Sequence, residues 1–375
     1  MYDVAIVGAG PAGATCALAL KNSGLRVLLL DKAHFPRDKV CGDAIPARCA
    51  HVLRGLDPDY LRHLSDFPAK TTIRAARVVA PNRRHFDYHF SVAGYCATRL
   101  RFDHFLLELA LREARPDFRP GTAVRAVTRA GDAWQLDLDG DQSAAARVLV
   151  ACDGAQSRLA RALTGRQLDP KHHCAAVRGY YRNVAGTVPD RMEIHFVEDF
   201  LPGYFWLFPL PEGVVNVGFG MMSHALQARG LALRQALPQL LDTPGLAERF
   251  VGAEPMGRVQ GFGLPMGSRK VPLSGPAFLL CGDAASLVDP ATGEGIGNAM
   301  WTGRLAAEVV RTEIGQGTKA NWSRYDQMVY GKLWRELRSK YLVQRFLGNR
   351  KAWMNFLVKQ ADQKGPVRWL MRKVF

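Results

Sequence analysis

Residues 1–31 read MYDVAIVGAGPAGATCALALKNSGLRVLLLD, and this stretch decides the fold. The apolar run DVAIV (3–7) reads as a buried strand. GAGPAG follows, with glycines at Gly8, Gly10 and Gly13. An apolar helix is expected from Pro11 to about Ser23, then a second strand, RVLLL, ending on Asp31. Gly8 permits the tight strand-to-helix turn, Gly10 lets the backbone approach a pyrophosphate, and Gly13 lets the helix pack closely on the strand. The first amides of the helix and its positive end then face the phosphates. Asp31 stands 18 residues beyond Gly13, where a carboxylate accepts hydrogen bonds from ribose hydroxyls. The alternative is a ligand-free glycine turn in an ordinary βαβ unit. Strand, helix, second strand and acid in this order argue against it.

Far downstream, residues 277–296 read AFLLCGDAASLVDPATGEGI. The strand AFLLC leads into Gly282-Asp283, placing the Asp283 carboxylate at a strand end. Gly293, Gly295 and Gly297 then open a second helix, expected from Gly293 to about Ile314. Between these two nucleotide-binding segments the pattern is interleaved. Strands are expected near 71–79, 85–90, 122–129, 133–138 and 146–151, with a helix from Phe102 to Ala114. A strand-rich stretch covers about 173–222, and 223–250 reads as helical.

The expected fold is α/β: a Rossmann-type nucleotide domain, an interleaved, mostly antiparallel substrate domain, and a helical C-terminal segment. The nucleotide domain is discontinuous, at 1–70, 96–170 and 273–315. The substrate domain occupies 71–95 and 171–272, and the basic helical segment 316–375.

At 375 residues, 48% apolar and 22% charged, the chain suits an α/β protein with more than one domain. The first strand starts at Tyr2, and no uncharged apolar run is long enough to span a bilayer, so a cytoplasmic protein is expected. Seven cysteines without CxxC spacing, and no HExxH, give no metal centre. The net charge of +16 is concentrated at the end: residues 316–375 hold 14 Lys/Arg and three Asp/Glu. Trp322, Trp334, Trp353, Trp369, Phe346, Phe356 and Phe375 lie among them. This mixture suits a peripheral position on an anionic membrane surface, or a helical region with a solvated basic face. No nucleic-acid module is recognisable.

Four further segments carry a family resemblance: FPRDKVCGDAI (35–45), ATRLRFDHFLLELA (97–110), VACDGAQSRLAR (150–161) and CGDAASLVDPATGEGIG (281–297). With GAGPAG, they resemble the FAD-dependent oxidoreductases that include aromatic hydroxylases, flavin halogenases and geranylgeranyl reductases. PRDKVCGD and PGYFWLFP (202–209) are most similar to the geranylgeranyl reductase branch. The resemblance implies FAD as cofactor, held by Gly8, Gly10, Gly13, Asp31, Cys41, Gly42, Ala44, Arg99, Val124, Asp283, Gly295 and Ile296. Arg99 would pair with the cofactor phosphates or its ribose side. Val124 would give a backbone contact to adenine, and Gly295 and Ile296 would meet the flavin ring. Asp153-Gly154 is either a cofactor contact or a plain turn.

The same resemblance implies reduction of C=C bonds in a prenyl chain on a lipid or quinone. The electron donor would be transiently bound NAD(P)H or a ferredoxin-like protein. Cys41 is the candidate reactive thiol, its pKa expected to be lowered by Arg37 and Lys39; the alternative is a structural cysteine. Tyr204, Trp206 and Phe208 alternate on one strand face and would wall an apolar slot, with Tyr204 orienting substrate or donating a proton. Plain sheet packing is the competing reading.

Three other functions share parts of the pattern. A flavin monooxygenase on an apolar or aromatic substrate shares the nucleotide segments, but PRDKVCGD argues against it. A flavin halogenase would carry WxWxIP where this chain has YFWLFP. A non-catalytic flavin-binding module at a membrane is the rival from another class.

Overall fold

The computed structural model describes residues 1–347 and 350–362. In chain order the elements are β1 (Tyr2–Val7), α1 (Pro11–Ala19), β2 (Val27–Leu30), β3 (Ala44–Ile45), α2 (Ala47–Leu56), α3 (Pro58–Asp66), β4 (Thr71–Val79), β5 (His85–Cys96) and α4 (Arg99–Ala114). Next come β6 (Asp117–Arg119), β7 (Val124–Ala130), β8 (Ala133–Leu138), β9 (Ser143–Ala151), α5 (Arg158–Thr164), β10 (His173–Arg182), β11 (Arg191–His195), β12 (Tyr204–Pro209) and β13 (Val215–Met222). The last are α6 (Ser223–Arg229), α7 (Leu233–Leu241), α8 (Ala247–Phe250), β14 (Glu254–Pro265), β15 (Ser274–Gly275), β16 (Phe278–Leu280), α9 (Ile296–Glu313), α10 (Arg324–Leu347) and α11 (Lys351–Asp362).

Two eight-stranded sheets organise the chain. The first runs β15-β16-β9-β1-β2-β6, with the β7–β8 hairpin joined through β8 to β9. Its centre is parallel: β1 pairs with β2 and β9, and β16 with β9. These strands are buried apolar runs without alternation, as a parallel sheet covered on both faces requires. Helices α1 and α9 pack against each other at very short range. A Cβ on Gly303 would lie 2.1 Å from the Ala12 carbonyl oxygen. The second sheet runs β14-β10-β13-β12-β11-β4-β5-β3 and is antiparallel apart from the β11–β4 pair.

Several boundaries differ from the sequence expectation. Helix α1 stops at Ala19 rather than Ser23, because Asn22 and Gly24 take positive φ and turn the chain into β2. Strand β5 continues past Phe90 to Cys96, and α4 starts at Arg99 rather than Phe102. Helix α9 begins at Ile296, with Gly295 as its cap. The C-terminal segment is helical, but it divides. Tyr325, Val329, Leu333 and Leu337 of α10 are buried in the core of the first sheet. Leu357, Val358 and Ala361 of α11 pack with Val78, Ala80 and Phe86 of the β4–β5 hairpin. Trp369 and Phe375 lie outside the described residues.

One buried charge cluster fastens the second sheet. Glu193 on β11 accepts from Arg249 Nη1 at 2.6 Å and meets His195 Nε2 at 3.0 Å. Burial pushes its carboxyl up, but His195 and Arg249 outweigh that and bring it to about 2, against an ordinary 4.5. A depressed carboxylate stabilises the fold above its unfolded pKa, and that stability is lost as pH falls through the folded value. The window here is about pH 4.5 down to about 2, and the contribution is about 3 kcal/mol. Glu193→Ala is expected to cost about 3–5 kcal/mol at neutral pH, since it leaves a buried guanidinium without its partner. It is also expected to flatten the acid limb of stability. Urea titrations at pH 7 and pH 3 measure both.

Candidate active site

A cleft of about 1140 Å3 opens between the two sheets. That volume exceeds the usual range for small-molecule sites, about 300–1,000 Å3, and suits a large cofactor together with a substrate. Gly8, Gly10, Asp31, Cys41, Gly42, Ala44, Arg99, Val124, Asp283, Gly295, Ile296, Tyr204, Trp206 and Phe208 all line it. Of the expected site residues, Gly13 alone is outside the lining. It sits where α1 crosses β1, and a Cβ there would lie 1.8 Å from the Gly8 carbonyl oxygen.

The nucleotide end of the cleft is made of backbone. Helix α1 is preceded by Gly10 as its cap residue and α9 by Gly295, neither with a side chain to cap the helix. At α1 these amides are available to an anion; at α9 Glu294 Oε1 already accepts from the Gly297 amide, so fewer remain for an electron-rich ring edge. Gly8 has φ +102°, and a Cβ there would lie 2.3 Å from the Cys152 carbonyl oxygen. Gly10 is different: a Cβ would meet only the Arg37 guanidinium, at 3.4 Å. The fold therefore needs glycine at 8 and 13, whereas at 10 the space belongs to whatever fills the cleft. Asp31 Oδ2 accepts from the Ala9 amide at 2.8 Å and Oδ1 from the Ala33 amide at 2.9 Å. The carboxylate is thereby fixed at the end of β2, with lone pairs left for a ribose. These features fit a dinucleotide with a long polar middle.

Two arginines and one lysine tie the 35–45 loop to this end. Arg99 is almost fully buried and makes a bidentate pair with Asp103, at 2.6 and 2.7 Å. Arg37 reaches the same carboxylate at 2.8 Å, and Lys39 pairs with Asp283 at 3.0 Å. The guanidinium expected to face the phosphates therefore spends its Nε and Nη2 donors on Asp103. The Asp153 carboxylate turns back to Ser157 and the Leu159 amide, closing the start of α5. Asp153 and Gly154 also line the cleft, so the turn stands at its wall and the geometry is compatible with both readings of Asp153-Gly154.

The Cys41 thiol differs from expectation. Burial pushes it up, and the lowering by Arg99 and Lys39 does not compensate. An apolar setting outweighs nearby cations that are themselves paired with carboxylates. Cys41 at neutral pH is a thiol rather than a thiolate.

The three β12 aromatics share the cleft face. Ring centroids are 6.0 Å apart for Tyr204–Trp206 and 6.1 Å for Trp206–Phe208. The Tyr204 hydroxyl donates to the Thr292 carbonyl, and burial raises its pKa well above the usual value. The tyrosine thus braces the loop before α9. The same loop is held from the C-terminal segment. Lys340 of α10 pairs with Asp289 at 2.6 Å, and Asp289 Oδ1 accepts from the Ala291 and Thr292 amides.

A residue not singled out in the sequence joins these parts. Asn216 on β13 is fully buried. Its Nδ2 donates to the Cys41 carbonyl and to Asp43 Oδ2, both at 2.8 Å, and its Oδ1 accepts from Trp206 Nε1 at 2.9 Å. Asp43, also fully buried, accepts from the Tyr180 hydroxyl at 2.7 Å. Burial raises the Asp43 carboxyl to about 6, against the opposing pull of Tyr180 and Asn216. The signal was present in the alternation of β13, NVGFG. Asn216, Gly218 and Gly220 share one face, and a Cβ on Gly218 would lie 2.1 Å from the Trp206 ring. A strand face stripped of side chains next to a tryptophan marks a ring lying flat across it.

Fold and site define a flavoprotein. The model of the FAD binding domain family matches residues 1–214. The menaquinone reductase of Mycolicibacterium smegmatis is 34% identical over 82% of this chain and 76% of its own length. Digeranylgeranylglycerophospholipid reductase 1 of Methanopyrus kandleri is 33% identical over 82% of this chain and 80% of its own. The chain belongs to the geranylgeranyl reductase family of FAD-dependent oxidoreductases, and FAD is its cofactor. A solved geranylgeranyl bacteriochlorophyll reductase-like protein from Thermoplasma acidophilum superimposes with a TM-score of 0.86. It covers 100% of this chain and 95% of its own at 23% identity. A flavin-dependent brominase superimposes with a TM-score of 0.76 at 21% identity, covering 97% of this chain and 100% of its own. At these identities the two structures speak for the fold.

Proposed function

We propose that this enzyme reduces C=C bonds of a prenyl chain carried on a lipid or quinone. The observation that carries the reading is the apolar arm of the cleft. It starts at Tyr204, Trp206 and Phe208 and continues over Ile194, Ala76 and Phe90 on successive strands. Crossing from β12 to β5 spans three strand spacings, about 14 Å. The arm is long, narrow in chemistry and free of ion pairs among these side chains, as an isoprenoid chain needs. Two of the related reductases, from M. smegmatis and M. kandleri, are named for menaquinone and for digeranylgeranylglycerophospholipid.

In this reading Gly8, Gly10 and the α1 amides hold the FAD pyrophosphate, with Asp31 and Val124 at the adenosine half. Cys41, Gly42, Ala44, Asp283, Gly295 and Ile296 surround the flavin half, with Arg99 behind the loop. When bound and reduced, FAD supplies the hydride equivalent for one alkene carbon, a proton going to the other. The residues of the chain bind, orient and exclude water. Cys41, held as a neutral thiol, is a candidate to touch the substrate or pass a proton. Tyr204 keeps the slot and the 289–295 loop in register. The electron donor is NAD(P)H approaching transiently, or a small redox protein. The enzyme works at the membrane face as a peripheral protein. Among the described residues, no helix is long and apolar enough to cross a bilayer.

The test bypasses the donor. Protein reduced by dithionite without oxygen is mixed with geranylgeraniol in detergent. Flavin reoxidation locked to substrate addition supports the reading. Reoxidation that requires oxygen, with oxygen uptake stimulated by substrate, overturns it in favour of a monooxygenase.

A further inference from the structure

Nine large apolar side chains are exposed among the described residues. Four of them, Leu342, Phe346, Trp353 and Phe356, lie on the end of α10 and the first half of α11. Trp353 and Phe356 form an edge-to-face pair with centroids 5.9 Å apart, each about half exposed. The opposite side of the same helix is buried, and Met354 and Leu357 line the cleft. Helix α11 therefore has two apolar sides: one walls the substrate arm and the other faces out. It is fixed in that pose on the β4–β5 hairpin by the Leu357/Val358/Ala361 cluster and by the Asn82 amide, which donates to Asn355 Oδ1 at 3.1 Å.

The charge around this patch is predominantly basic. Residues 338–362 contain six Lys/Arg and one acid. Lys340 is spent on Asp289 inside the cleft, and Lys351 on Glu198. Arg338, Arg345, Arg350 and Lys359 are exposed. Aromatic side chains flanked by solvated cations match the headgroup region of an anionic bilayer, where rings enter the interface and cations meet phosphate.

We propose that the outer side of α11 and the end of α10 seat on an anionic lipid bilayer, making this rim the portal through which a prenyl chain passes into the arm. The proposal rests on the prenyl-reductase reading for its purpose. The geometry gives the passage a direction: a chain drawn out of the bilayer beside Trp353 and Phe356 reaches Met354 and Leu357 around the same helix. It then meets Phe90 on β5, and the path across the sheet leads to Trp206. A protein partner with an acidic apolar groove is the competing occupant.

Vesicle flotation tests the proposal with full-length protein. Phosphatidylcholine vesicles with and without phosphatidylglycerol are compared, and turnover is measured on geranylgeraniol in detergent and on a geranylgeranyl phospholipid in vesicles. Expected is flotation with the anionic vesicles only, weakened by salt. W353A/F356A should lose on the order of tenfold in vesicle partitioning and in vesicle turnover, while detergent turnover and Tm stay at the wild-type level. R350E/K359E should abolish the phosphatidylglycerol preference without touching the aromatic pair. Equal flotation of wild type and both variants, or no flotation of the wild type, overturns the portal. Failure to reduce geranylgeraniol in detergent, with flotation as expected, strikes the prenyl-reductase reading and leaves the membrane seat standing.

Discussion

Gly10→Val is expected to give a folded protein that does not hold flavin. The three glycines of the opening turn are chemically alike in the sequence, but their surroundings separate them. A side chain at Gly13 would meet the Gly8 carbonyl oxygen at 1.8 Å, and one at Gly8 the Cys152 carbonyl oxygen at 2.3 Å. Neither backbone atom can yield without moving β1, α1 or β9, so substitution there damages the fold. At Gly10 the nearest atom is the movable end of Arg37, at 3.4 Å. Only a ligand pressed against the α1 amides would forbid a side chain at that position. Charge-assisted hydrogen bonds to phosphate contribute about 1.5–3 kcal/mol each. Losing one or two through enforced separation lowers FAD affinity roughly 100-fold or more. Far-UV circular dichroism, Tm in excess EDTA-free buffer without flavin, and bound flavin per chain read the result. Wild-type melting of the apoprotein with flavin content near zero is the expected pair. Full flavin content in G10V would show that the pyrophosphate lies elsewhere.

Asn216→Leu is expected to keep flavin and lose most of the turnover. Leucine keeps the branched outline and the number of side-chain heavy atoms of asparagine, but three hydrogen bonds go at once. The Trp206 indole N–H and the Cys41 carbonyl lose their partner inside the protein, at about 1–3 kcal/mol for each buried group left unpaired. Both line the cleft and are joined through this one side chain, so the reacting carbon would no longer be held at a fixed height over the cofactor. A fall in kcat/KM of about 10–100-fold is expected, carried mainly by kcat. A second readout separates positioning from simple destabilisation. Asn216 donates to Asp43 and helps hold its carboxyl down to about 6. Without that donor the Asp43 pKa rises, and any pH dependence of the flavin spectrum linked to it moves upward. N216Q, which retains the amide, should recover part of kcat and the pH midpoint. Wild-type kinetics in N216L would remove Asn216 from the site.

Much of this architecture was legible in local patterns. Buried strands β1, β2 and β16, and the turns that follow β1 and β16, are each encoded within about ten residues, where glycine stereochemistry and apolar runs leave few options. The alternation Tyr204/Trp206/Phe208 likewise put one face of β12 toward the cleft. Three features were not legible, because they depend on partners far apart in sequence. Cys41 looked activated by its basic neighbours, yet Arg37 and Lys39 are bound to Asp103 and Asp283, and burial decides the thiol's state. Arg99 looked free for phosphate, but Asp103 stands one helical turn away and takes two of its donors. The C-terminal segment read as one basic appendage. Its periodicity does not show that α10 enters the core of the first sheet while α11 packs on the β4–β5 hairpin, since both present apolar stripes.

The central claim is that electrons leave the cofactor for a carbon–carbon double bond. Its most direct test is mass spectrometry of geranylgeranyl lipid and menaquinone after anaerobic incubation with dithionite-reduced enzyme. The account predicts a gain of two hydrogens for each bond reduced, confined to the prenyl chain, with no oxygen incorporated when air is then admitted. Unchanged masses on every prenyl substrate, or products heavier by oxygen, would contradict it.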